Sequence, residues 1–211
     1  MLSAIVAAIG LLNNNVAVII GAMVIAPLLG PNVALSLATT LGDFSLAKNA
    51  LKTNLVGILT AVAFSIAIGF FLHVNPHIPE IESRTRVGLE EVVLALVSGC
   101  AGTLAFTSGV PATLIGVAVA VAILPPLVSF GLLIGSGYIS LSLGALLLFF
   151  INITSINLAG IITFFAQGIF PQAWLERKNA KKSIAVSVII LFLLLAIFSA
   201  AIFYLLKNGT R

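Results

Sequence analysis

The sequence predicts an all-α fold: a polytopic membrane bundle of about seven segments. It reads as two inverted three-helix repeats with proline-broken second helices, plus one extra C-terminal helix. Three observations predict this: the composition, the spacing of the charges, and an internal repeat. Of 211 residues, 61% are hydrophobic and 8% are charged, whereas a soluble domain carries roughly 25% charged residues. Ten basic and six acidic side chains are too few to wet a 21.9 kDa globule. A soluble enzyme is thereby excluded, and so is a disordered chain, which would be polar and charge-rich. No Asp, Glu, Lys or Arg occurs within 1–42, 53–79, 92–175 or 183–206. A helix crossing the hydrocarbon needs about 20 apolar residues, and each of these stretches is longer.

The segments follow in order as one transmembrane domain over 1–211. Leu2–Leu12 is too short to span alone, so it is half a crossing or the end of a helix that begins before Met1. Val16–Leu41 contains Pro27 and Pro31, and Thr53–Val74 completes a first repeat over 2–74. The longest polar stretch, 75–91, forms an outer loop. Val92–Gly109, Pro111–Gly135 with Pro125 and Pro126, and Leu141–Phe170 make a second repeat over 92–170. A basic cytoplasmic loop over 171–183 leads to the extra helix, 184–206. Trp174, Tyr138 and Tyr204 sit at segment ends, where aromatic rings favour the lipid–water boundary.

The repeat is visible without gaps. Shifted by 95 residues, Val16–Leu51 aligns with Pro111–Leu146, and 13 of 36 positions are identical. Segments of this composition share about three by chance. The identities include Gly21/Gly116, Pro31/Pro126, Gly42/Gly137 and Ala50-Leu51/Ala145-Leu146. Three crossings separate Gly42 from Gly137, so the repeats are expected to be inverted, as in many secondary transporters. Lys48, Lys52, Arg177, Lys178, Lys181 and Lys182 gather on one side, against Arg84, Arg86, Lys207 and Arg211 on the other. The positive-inside rule assigns the first side to the cytoplasm. The net charge of +4 is therefore read as a topology signal, and no nucleic-acid partner is expected.

Several motifs carry a resemblance. They are Val18-Ile19-Ile20-Gly21-Ala22-Met23-Val24-Ile25-Ala26-Pro27-Leu28-Leu29-Gly30-Pro31, then Gly42-Asp43, Arg84-Thr85, Ala95-Leu96, and the Gly99 and Gly102 pair. Ala120-Val121-Ala122-Ile123-Leu124-Pro125-Pro126-Leu127 and Gly144-Ala145-Leu146-Leu147-Leu148 with Asn152 follow. Together they resemble the uncharacterised hydrophobic membrane-protein family of bacteria and archaea known as domain of unknown function 389, over about residues 3–165. The resemblance implies a membrane fold and brings no established substrate. Members often carry a soluble cytoplasmic domain before the membrane region, and none is expected within these 211 residues. Val87 stands where the family tends to place a proline after the Arg-Thr pair.

The chemistry is sought at the two prolines. A proline inside a helix leaves a carbonyl one turn earlier without its donor, and in hydrocarbon that carbonyl must find a partner or face a cavity. Pro27, Gly30, Pro31, Asn32, Pro125 and Pro126 are the candidate substrate-binding residues, joined by Asn152 and Ser155 on one face of the sixth segment. Asp43 is a candidate entrance residue. Such a site suits a small neutral solute or a weakly held ion, because no ionisable residue lies well inside a span. The expected protein is a transporter or channel of a prokaryotic cytoplasmic membrane, with the lipid bilayer, a small solute or ion, and copies of itself as partners. The alternative is a non-transporting anchor or sensor scaffold that oligomerises. No enzymatic activity and no cofactor are expected. His73 and His77 have i,i+4 spacing, but Pro76 interrupts the turn, so no metal site is expected either. Gly131–Gly135 and Ser65–Gly69 each place small residues one turn apart, which lets helices approach closely within or between subunits.

Overall fold

The computed structural model describes residues 1–26, 28–109, 112–169, 185–198 and 200. These residues are all-helical. The helices are α1 (Leu2–Leu12), α2 (Val16–Val24), α3 (Leu29–Leu41), α4 (Phe44–Leu72), α5 (Pro79–Glu82), α6 (Leu89–Thr107), α7 (Ala112–Gly135) and α8 (Ile139–Ala166), followed by α9 (Ala185–Phe198). Three of them, α4, α6 and α8, are long and apolar enough to cross a membrane. At about 1.5 Å per residue, the 29 residues of α4 exceed the ~30 Å hydrocarbon core. The 11 residues of α1 reach about half of it.

Local chemistry sets the helix boundaries. Asn15 caps α2 by accepting from the Val18 N–H at 3.2 Å, and Asp43 caps α4 by accepting from the Leu46 N–H at 2.9 Å. Helix α4 therefore begins nine residues before the expected Thr53, because a capped start tolerates Lys48 and Lys52 in its polar first turns. Gly42 closes α3 at φ 70°, and Gly137 follows α7 at φ 86°. Both adopt the left-handed conformation that only glycine takes freely. These two corners are mates under the 95-residue shift, and so are the residues that start the next helices, Asp43 and Tyr138.

Helix directions follow from close approaches. A Cβ on Gly131 would meet Val62, Ser65 and Ile66, while one on Gly135 would meet Ile66, Gly69 and Phe70. Both helices advance one turn together, so α4 and α7 run parallel. Helix α3 turns back into α4 at Gly42, and α7 turns back into α8 at Gly137. The Gly42 and Gly137 corners therefore lie at opposite ends of the bundle. Across the other seam, a Cβ on Gly160 of α8 would lie 2.7 Å from the Ser36 hydroxyl of α3. The two small-residue faces expected to pack within or between subunits thus meet each other inside the chain, as α4 against α7.

The core lies along α7 and α8. Ile123, Leu124, Leu127, Leu132, Leu133, Leu148 and Phe164 are no more than 1% exposed. The outward faces of α4 and α6 carry Leu55, Leu59, Val93 and Val97, each more than half exposed. Such continuous apolar surface suits lipid rather than water. At the end of the bundle that holds Ser136, the segment before α6 docks through buried Ile81 of α5. The Glu80 N–H donates to Asn14 Oδ1 at 3.2 Å. Val87, at the position where the family tends to carry proline, packs beside Val92 and Ile151. Arg86 pairs with Glu82, and Arg84 with Glu80.

One expectation is corrected. The second helix of the second repeat is not broken, since α7 runs continuously through Pro125 and Pro126. The first repeat does have an interruption, between Val24 and Leu29. Pro31 is not the break itself. It is the third residue of α3, where its missing N–H would have had no partner in any case. Pro27, the 171–183 loop with Trp174, and Tyr204 lie outside the described residues.

Candidate functional site

The interruption has a local cause. In a continuous helix the Met23 carbonyl would accept from residue 27, which is a proline and has no N–H. The Ala26 N–H takes that carbonyl instead, at 3.1 Å, so the turn tightens and the helix ends. Beside the interruption lies a cleft of about 360 Å³, lined by Ser3, Leu28, Thr53, Gly57, Thr60 and Leu124 among others. Leu28 follows the interruption, and Leu124 precedes the prolines of α7. Gly57 lies in the middle of α4 and leaves the cleft open, since a Cβ there would meet only Leu28 Cδ2, at 3.4 Å. The Thr60 hydroxyl donates back to the Val56 carbonyl at 2.6 Å, leaving its lone pairs toward the cleft.

On the far side of α3 is a buried polar cluster. Asn32 Nδ2 donates to the Leu28 carbonyl at 2.7 Å and to Asn54 Oδ1 at 3.3 Å, and Asn54 Nδ2 donates back to Asn32 Oδ1 at 3.2 Å. Asn157 Nδ2 donates to the same Asn32 oxygen at 3.1 Å and to the Ile153 carbonyl at 2.8 Å. Ser36 Oγ lies 3.2 Å from Asn157 Oδ1, which accepts from it. These four residues come from α3, α4 and α8, and each is at most 6% exposed. The Asn32 amide has no free donor or acceptor left, so it fixes the helices around the interruption and offers nothing to a guest.

The prolines inside α7 are accommodated differently. Pro126 removes the donor for the Ala122 carbonyl, and Asn152 Nδ2 of α8 supplies one at 2.6 Å. The sequence mates of Ala122 and Asn152 are Pro27 and Gly57. An amide stands in the second half where a glycine leaves space in the first. Asn152 Oδ1 and Ser155 Oγ are buried with no hydrogen-bond partner.

A crevice of about 310 Å³ runs between α3, α8 and α9, past Thr39, Thr154, Asn157 and Ser187. It shares Thr39 and Ser187 with a smaller hollow that reaches Asp43. Asp43 is exposed there and caps α4.

The predicted residues thus divide. Pro125, Pro126, Asn152 and Ser155 are all buried, with Asn152 bonded across the α7–α8 contact, Asn32 belongs to the asparagine cluster, Pro31 is half-buried, and Gly30 is exposed. Asp43 lies apart from all of them, and Pro27 lies outside the described residues. Sequence reasoning did not single out Ser36, Gly57 or Thr60. The signal for Ser36 was available: its mate is Gly131, and the mate of its contact Gly160 is Ser65, so one small-residue contact is written twice. His73 ends α4 in the left-handed region at φ 43°, so it shares no helical face with His77.

The described residues are all helical, three of their helices are long and apolar enough to span a bilayer, and apolar outward faces surround a buried amide cluster, the features of a helical membrane protein. Within that class it belongs to the family described as Domain of unknown function (DUF389), which matches residues 23–158. The chain is 40% identical over 205 residues to an uncharacterised protein of Methanocaldococcus jannaschii, covering 97% of this chain and 64% of that one. The chain therefore spans about 64% of the length of that relative. No solved structure matches it.

Proposed function

We propose that this protein carries a small uncharged polar solute across a prokaryotic cytoplasmic membrane, through the cleft beside the interrupted helix. The observation that carries this reading is the cleft itself. It is about 360 Å³, lies midway along α4, and combines apolar walls with the hydroxyls of Ser3, Thr53 and Thr60 and with no charged side chain, Met1 lying at its edge. A site at a discontinuous helix near the midplane is the usual transporter arrangement. Two inverted halves fit the geometry: α3 and its mate α7 run in opposite directions. The Ser36–Gly160 contact also repeats as Ser65–Gly131 across the equivalent seam. Counting α2 with α3 as one crossing and α1 as half of one agrees with seven segments.

The test is solute flux into proteoliposomes, across a panel of small neutral solutes and monovalent ions. Gly57→Leu puts a side chain into the cleft without disturbing a close contact, and leucine favours helix over glycine. Flux above that of empty liposomes is expected, and Gly57→Leu is expected to lower it at least tenfold. The lipid-facing control Leu55→Phe, at a residue 55% exposed, should leave it unchanged. Absence of flux for every solute, or full flux through Gly57→Leu, defeats the reading.

The scaffold reading draws on one observation, the Ala122 carbonyl freed by Pro126, which Asn152 satisfies. A protein that only holds partners together needs no opening. It predicts that Gly57→Leu stabilises the chain and changes nothing else.

A further inference from the structure

We infer that α8, beside the α7 prolines, holds a monovalent alkali cation of about sodium's size, coordinated by Asn152 Oδ1 and Ser155 Oγ; as a coupling ion, it rests on the transport reading. The orientation of the Asn152 amide is forced. Its nitrogen must face the Ala122 carbonyl, to which it donates at 2.6 Å, so its oxygen faces away as an acceptor. That oxygen has no donor, and neither does Ser155 Oγ one turn further along α8. The two residues are 2% and 0% exposed.

The donor set decides the ligand. Both groups are neutral oxygens, and no carboxylate is near in the sequence of either helix. Divalent calcium or magnesium is bound with the help of carboxylates, so a divalent ion is disfavoured. An alkali cation accepts backbone carbonyls and neutral side-chain oxygens in place of water. Tight burial on every side favours a small one. The position carries a further meaning: Asn152 and Ser155 are the 95-residue mates of Gly57 and Thr60, which line the solute cleft. Cation and solute would then occupy equivalent positions in the two halves, joined by α7 through Leu124.

The experiment is thermal unfolding of the purified protein in detergent, in sodium, potassium or choline chloride at equal ionic strength. A saturable rise in melting temperature with sodium, weaker with potassium and absent with choline, is expected. Ser155→Ala removes one ligand and leaves the Asn152–Ala122 bond in place. It should raise the half-saturating sodium concentration at least tenfold. Should Ser155→Ala fold poorly, Ser155→Thr keeps the oxygen and is expected to keep the sodium response. Identical melting in all three salts, or an unchanged half-saturation in Ser155→Ala, overturns the inference and reveals a buried water only. Solute flux that ignores sodium would overturn the coupling role while leaving the transport reading intact. Sodium-dependent melting without any flux would leave the ion site standing and the transport reading defeated.

Discussion

Asn32 shows how a single polar side chain in a lipid-facing protein acquires a fixed role. It takes part in four hydrogen bonds, to the Leu28 carbonyl, Asn157 and both ends of the Asn54 amide. An interhelical hydrogen bond within a membrane contributes about 0.6 kcal/mol on average. A buried amide left unpaired costs about 1–3 kcal/mol, so the orphaned partner decides the outcome. Asn32→Leu is therefore expected to destabilise the protein by about 1–3 kcal/mol. The mates of Asn32 and Asn54 are Leu127 and Phe149, both buried, so an apolar pair already occupies these positions in the other half. The double variant Asn32→Leu with Asn54→Phe should cost less than the two single changes combined. Denaturant titration in mixed micelles measures this, and strict additivity would contradict the reciprocal pair. Sequence alone offered Asn32 as a possible ligand; only its neighbours show that its hydrogen-bonding capacity is taken.

At the scale of elements, the α4–α7 seam and the α2 surface make opposite predictions for the same kind of residue. Gly131 abuts Ser65 and Val62, whereas nothing lies within 4 Å of a Cβ on Gly21. Gly131→Leu overpacks the seam and should destabilise by about 1–3 kcal/mol. Gly21→Ala should stabilise α2 by about 0.5–1 kcal/mol, through its helix propensity. Thermal unfolding of the detergent-solubilised protein distinguishes them, and equal shifts would refute the close approach. The prolines teach a related lesson. Pro31 and Pro126 are sequence mates, yet one lies just inside a helix start and the other within a continuous helix. A proline removes a donor wherever it stands. Whether the helix then breaks depends on whether a neighbour such as Asn152 can reach the freed carbonyl.

At the scale of the molecule, the parallel course of α4 and α7 fixes where the corners lie. With Cys100→Ala as background, Phe44→Cys and Tyr138→Cys each present an exposed thiol, at positions 83% and 41% exposed. In oriented vesicles a membrane-impermeant maleimide should label them from opposite faces. Labelling from one shared face would remove the inverted arrangement.

The sequence by itself determined the solvent and the elements. Sparse charge, long apolar runs and glycine–proline punctuation dictate helices in lipid, because backbone polar groups have no other partners there. The 95-residue shift placed Gly42 and Gly137 at matching corners before any contact was known. The tertiary structure alone decided where space is left beside a freed carbonyl and where a side chain fills it. Freed carbonyls, amides and small faces look alike in a linear chain. Only packing determines that Asn152 reaches Ala122, that Gly57 leaves space beside Leu28, and that the two small-residue faces meet inside one subunit.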